Sequence, residues 1–204
     1  MEQQPKGKRS IALPVTLVLL VMSLMGNVLL YTKHIEHTRG NAYDTGEAIF
    51  TGFKDGQSEL AYWAEIAEQA SLLADTDAES ARLTAEHLGG AMLQAEHSGI
   101  AAIMDHAAVI GGERFGEAPA AYDAFVNNWH DRLLAIGEGE GALNPDERKA
   151  VMALMDHLAG LTELITAFPY EIEGSRNAMY RLSGGHDWLD LADEIQSSLR
   201  AAGT

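Results

Sequence analysis

The chain of 204 residues has no cysteine, which excludes disulfides, thiolate nucleophiles and thiol-bound metals, along with any lipid attached through a cysteine. It has few prolines. Only five occur, and none lies between Pro14 and Pro119, so nothing in that interval forbids continuous helix. No stretch alternates β-branched and polar residues with a period of two, and no sheet is expected. No N-x-[ST] sequon is present.

Positive charge is also scarce. Against 30 Asp and Glu there are 14 Lys and Arg, a formal net charge of −16. Three of those bases and one of those acids precede residue 32, so residues 32–204 hold 11 bases and 29 acids, a formal −18. Such a surface is repelled by phosphate backbones and by anionic headgroups, which argues against a nucleic-acid partner and against lying on a membrane. A basic protein partner is compatible with it.

Long apolar runs are absent with one exception. Residues 11–31, IALPVTLVLLVMSLMGNVLLY, carry no charged side chain. At about 1.5 Å per residue such a helix crosses the ~30 Å hydrocarbon core of a bilayer. Pro14 falls in its first turn, where a missing N–H costs little, and Tyr31 is placed for the far interface. A cleavable signal peptide has a shorter apolar region closed by small residues. Here the run ends in NVLLYTKHIEH, so the segment is expected to stay as a single-pass anchor. Lys6, Lys8 and Arg9 precede it and Lys33 and Arg39 follow. That balance favours a cytoplasmic tail over residues 1–10 and an extracytoplasmic remainder in the cell membrane, the reverse topology being the runner-up. Residues 32–46 are expected to connect the span to an acidic domain over 47–204.

The periodicity of that domain is helical. In 47–74, Ile49, Phe53, Gly56, Leu60, Trp63, Ala67, Ala70 and Ala74 recur at steps of four and three, with Ile66 and Leu73 widening the stripe. Thr76 and Glu79 match a capping box for a second helix from Asp77 to about Ile110, whose seam is Ala81, Ala85, Leu88, Met92, Ala95, Gly99 and Ala102. Gly89, Gly90 and Gly99 permit a bend in it. Pro119 suits the first turn of a third helix with Tyr122, Phe125, Val126, Trp129, Leu133 and Ile136 on one face. GEGEGAL, 137–143, reads as a loop; no G-K-[ST] follows, and its carboxylates would repel a phosphate.

Asn144, Pro145 and Glu147 then give N-cap, N1 and N3 of a helix bearing Val151, Leu154, Leu158, Leu161, Ile165 and Phe168. A short turn of helix near Ser175–Leu182 and a last helix capped by Asp187, with Trp188, Leu191, Ile195 and Leu199 inward, complete the chain. The expected fold is all-α: one N-terminal transmembrane helix followed by an antiparallel bundle of four or five helices.

One pattern bears on chemistry. Of eight histidines, seven stand beside an acid: His37, His87, His97, His106, His130, His157 and His186; His34 does not. A metal site on a helix needs ligands three or four apart, and neither Glu-x-x-His nor His-Glu-x-x-His occurs. Ser183 with His186 and Asp187 is explained by a Ser-Gly-Gly turn leading into a helix cap. The remaining reading is electrostatic: imidazoles in a negative field gain affinity for protons, so these seven are the candidates for a pH response, while His106 and His157, near apolar faces, are expected to oppose it. No catalytic set and no cofactor or metal pattern emerges. The expected function is a non-enzymatic, membrane-anchored module that binds a protein partner or senses conditions outside the membrane, with homo-oligomerisation left open. The alternative is an enzyme whose acids and histidines converge only in the fold.

Overall fold

The computed structural model describes residues 12–95 and 99–202. The basic tail and His97 lie outside them. The described residues are helical with no strand, in the order α1 (Ala12–Leu73), α2 (Ala78–Leu93), α3 (Gly99–Gly111), α4 (Ala118–Gly137), α5 (Pro145–Thr166), α6 (Arg176–Ser183) and α7 (Leu189–Ala202). Short 3₁₀ turns occupy Gly112–Phe115 and Tyr170–Ile172. The chain divides into two compact units, Met1–Asn41 and Ala42–Thr204, and α1 supplies residues to both.

In the first unit the large apolar side chains from Val15 to Tyr31 are exposed all round. Leu17, Leu20, Leu24, Met25 and Leu30 are each more than 60% accessible. This is the only described helix long and apolar enough to cross a membrane.

In the second unit the apolar positions converge on one core. All eight residues of the expected 47–74 seam are buried, as is Ile66. So are Tyr122 through Ile136 on α4 and Val151 through Phe168 on and after α5 at the predicted positions. The three tryptophans, Trp63, Trp129 and Trp188, are each at most 2% exposed. Phe53 stacks on Phe168 with ring centroids 4.0 Å apart and meets Trp188 edge-on at 6.2 Å. The Tyr170 hydroxyl donates to the carbonyls of Phe53 (3.2 Å) and Ile165 (3.0 Å), and burial pushes its pKa up to about 12. α4 packs against α2, α3 and α7, and α5 against α7.

Helix starts follow side-chain chemistry. Asn144 accepts from the backbone N–H of Asp146 and Glu147 while Glu147 accepts from Asn144 N–H, the capping box expected there. At α2 the cap is Asp77, not Thr76: its carboxylate accepts from Ser80 N–H (3.1 Å) and Ser80 O–H (2.7 Å), and these bonds hold its pKa below the usual range. Both residues are competent caps, and the carboxylate, an ionised acceptor, makes the stronger bonds.

Three further expectations change. The helix expected over 77–110 is two, with α2 closing at Gln94 and α3 opening at Gly99, whose φ of +54° favours glycine and where a Cβ would stand 1.8 Å from Glu59 Oε2. With that split, and with span, connector and first domain helix all lying in α1, the count among the described residues is seven. Asp187 does not cap the last helix. It sits at φ 72° and its two oxygens take a fork of bonds from Arg181 at 2.6 and 2.7 Å. Leu191 is only half-buried, and Ala192 takes the inward position.

Candidate functional site

The glycine-rich loop before α5 has a structural task. Arg82, on α2, is 6% exposed, and all its donors are engaged. Nε donates to Gly141 O (2.9 Å), Nη1 to Ile136 O and Glu147 Oε1 (3.1 Å), and Nη2 to Glu147 Oε2 (3.1 Å), Ala142 O (3.3 Å) and Glu140 O (3.4 Å). The loop therefore wraps its carbonyls round a guanidinium. A Cβ on Gly139 would stand 2.2 Å from Nη1, so no larger residue fits there without moving the arginine. The Arg82 bonds hold the Glu147 pKa below the usual carboxylate range. Nothing in the local pattern around Arg82 signals this, because its partners lie 54 to 65 residues away.

A half-buried acid lies where α1, α3 and α4 meet. Glu59 accepts from Ile100 N–H (3.2 Å), an otherwise open donor in the first turn of α3, and from the Tyr122 hydroxyl (3.2 Å). That hydroxyl also lies 3.3 Å from Ala95 O. Burial outweighs both hydrogen bonds and pushes the Glu59 carboxyl up to about 7, with Asp55 adding repulsion. Sequence reading missed Glu59. The signal available was an acid beside the seam residue Leu60, one turn before the stripe residue Trp63.

Two surface regions have the makings of a site. On the α1–α2 face the Tyr62 hydroxyl meets His87 Nε2 at 3.2 Å. Shallow hollows of about 440 and 400 Å³ flank this pair, sharing Tyr62, Leu83 and His87. Glu86 borders the first, and Glu65 and Ile66 the second. Tyr62 is 48% and Leu83 59% exposed. Elsewhere, a trough of about 500 Å³ between α1 and α3 is lined by Asp44, Glu47, Asp55 and His106 over a floor that includes Ala48, Gly52, Gly99 and Ala102.

The six described candidate histidines lie on different elements. His37 lies on α1, His87 on α2, His106 on α3, His130 on α4, His157 on α5, and His186 between α6 and α7. His37, His87 and His186 are exposed. His130 is half-buried with Nδ1 enclosed and without a partner, close to where a Cβ on Gly89 would fall. His157 packs against Trp129 with ring centroids 5.9 Å apart. His106 is half-buried, and burial lowers its pKa more than Asp105 raises it, the direction expected of a histidine near an apolar face. Among the described residues no three His, Asp or Glu side chains are grouped to hold a metal.

Compared with protein-family models, with curated proteins and with solved structures, the chain finds no match.

Proposed function

We propose that this protein is a single-pass membrane protein whose N-terminal apolar helix is kept as an anchor, and whose acidic helical domain works outside the cytoplasm by binding a protein partner. The observation that carries the reading is the exposed apolar surface of Val15–Tyr31, in a chain whose other large apolar side chains are mostly buried. Without a bilayer or another hydrophobic cover, that surface would have no stable place in water. The preceding Lys6, Lys8 and Arg9 favour the inside, and the formal −18 of residues 32–204 keeps the domain off an anionic surface. Residues 42–202 then form a helical bundle presented at the membrane.

The experiment is crosslinking in native membranes with and without the domain side accessible to protease. Digestion of residues 32–204 from the outside and crosslinks to a discrete protein support the reading. Full protection from outside protease reverses the topology.

The alternative is an enzyme, and the observation that favours it is the α1–α3 trough, whose lining includes three carboxylates and a histidine held toward its neutral form by burial. Asp55→Asn and His106→Gln should abolish any hydrolytic turnover assigned to the protein if that alternative holds. Unchanged partner crosslinking in both variants places function elsewhere.

A further inference from the structure

The α1–α2 face combines exposed apolar bulk with unneutralised acid. Tyr62 and Leu83 stand out from the two helices, with Ile66 and His87 between them. Glu65 and Glu86 border the paired hollows and are exposed. The ion pairs among the described residues involve Glu173, Glu147, Asp190, Asp193, Asp75 and Asp187, and none engages Glu65 or Glu86. No Lys or Arg lines either hollow.

From this we infer that the groove formed by Tyr62, Ile66, Leu83 and His87, rimmed by Glu65 and Glu86, docks a cationic amphipathic helix of a partner protein. The inference rests on the reading of the domain as a binding module and adds the chemistry of what it binds. A helix is the fitting occupant because the groove lies between two helices, where the side chains of a third can interdigitate, and no strand edge exists among the described residues to which an extended peptide could add. Its apolar positions, three or four residues apart, would cover Tyr62 and Leu83, and lysines or arginines beside them would meet Glu65 and Glu86. A second copy of this chain is the wrong occupant: residues 32–204 have 29 acids against 11 bases, so pairing sets two strongly negative surfaces together. Nucleic acid and anionic lipid fail for the same reason.

The test uses the purified full chain in nonionic detergent micelles. The probe is a fluorescein-labelled 18-residue peptide of leucine and lysine in helical period, read by anisotropy against a micelle-only blank. Two control peptides share its length: one has the same composition scrambled out of period, and one carries glutamate for lysine. Leu83→Ser, and separately Glu65→Gln with Glu86→Gln, should each weaken binding of the periodic peptide about tenfold. Asp44→Asn with Glu47→Gln removes the same charge from the other trough and should change it by no more than about twofold. Helical circular dichroism confirms that each variant is folded, and all substituted positions are on the surface.

Absence of binding overturns the inference. So does an equal loss in the Asp44 and Glu47 pair, equal binding of the scrambled peptide, or tighter binding of the glutamate peptide. Each of those results leaves the anchored, partner-binding reading intact, since that reading is tested separately, by fractionation and crosslinking of the membrane protein. A soluble chain that still binds the periodic peptide through Leu83 has the opposite meaning: the groove stands and the anchor falls.

Discussion

Two stretches of α1 are rich in apolar residues for different physical reasons. From Val15 to Tyr31 the apolar side chains point in every direction and are exposed. From Ile49 to Leu73 most of them occupy one stripe, and that stripe is buried, with Tyr62 and Leu72 standing off it. One helix thus carries two patterns: apolar all round, as hydrocarbon requires, and apolar on one side, as a core with water opposite requires. A helical domain needs the second kind in each of its members. A span needs the first kind once.

The comparison predicts that damage to one region leaves the other unharmed. All three tryptophans are buried in the second unit, so their emission reports domain unfolding in the detergent-solubilised full chain without interference from the span.

The largest effect is expected at Arg82. Arg82→Ala leaves Glu147 and the three loop carbonyls of Glu140, Gly141 and Ala142 without the guanidinium, and should cost about 3–5 kcal/mol in urea unfolding with no change in membrane retention. Leu158→Ala empties a fully buried position and should cost about 2–5 kcal/mol. A loss below about 1 kcal/mol would mean that the α5 stripe does not face a packed core. Leu24→Arg reverses the test: it should weaken insertion by about 2.5–3.5 kcal/mol, read as a shift from the membrane pellet to the soluble fraction, while domain unfolding stays as it was.

The pH dependence is next in size. The Glu59 pKa in the fold is about 7 against an ordinary 4.5, so its contribution is fully favourable below the unfolded value and is lost as pH rises through the folded one. The domain should therefore lose roughly 2–3 kcal/mol between about pH 4.5 and 7.5 from this group. Glu59→Gln should flatten that slope.

Asp77, Glu147, Asp187 and Asp193 are shifted the other way, by Ser80, Arg82, Arg181 and Arg114. Their contribution is complete above the ordinary carboxylate range and falls away in stronger acid. His106, held low by burial, contributes above its ordinary value and loses that as pH drops through its folded one, opposing Glu59 in part. The stability maximum should lie near pH 5. A slope unchanged in Glu59→Gln would assign the dependence to other groups. The smallest effect belongs to Leu83→Ser, which should alter stability by no more than about 0.5 kcal/mol, as befits a side chain more than half exposed.

What was legible beforehand follows the range of the interaction. The buried stripes of α1, α4 and α5 were readable, since each is a local repeat of about 3.5 residues, and so was the Asn144 capping box, complete within four residues. Interactions across the sequence left no such trace. Arg82 looks like any helical arginine until residues 136–147 fold over it, and Glu59 looks like any surface acid until Ile100 and Tyr122 arrive. The break between α2 and α3 was legible as a glycine signal without its outcome. Asp187 is instructive in the other direction: a good cap by composition, it is taken by Arg181, a stronger partner six residues away. The histidine pairs were conspicuous in sequence, yet the six that are described lie on separate elements, and the carboxyl raised toward neutrality is Glu59.

Carbonate extraction of membranes containing the intact chain, with the mass of the retained species measured, tests the central claim most directly. Retention of Val15–Tyr31 as an anchor predicts that the protein stays in the pellet after extraction, with residues 11–31 still present in its mass. A soluble species beginning near Thr32 would contradict it.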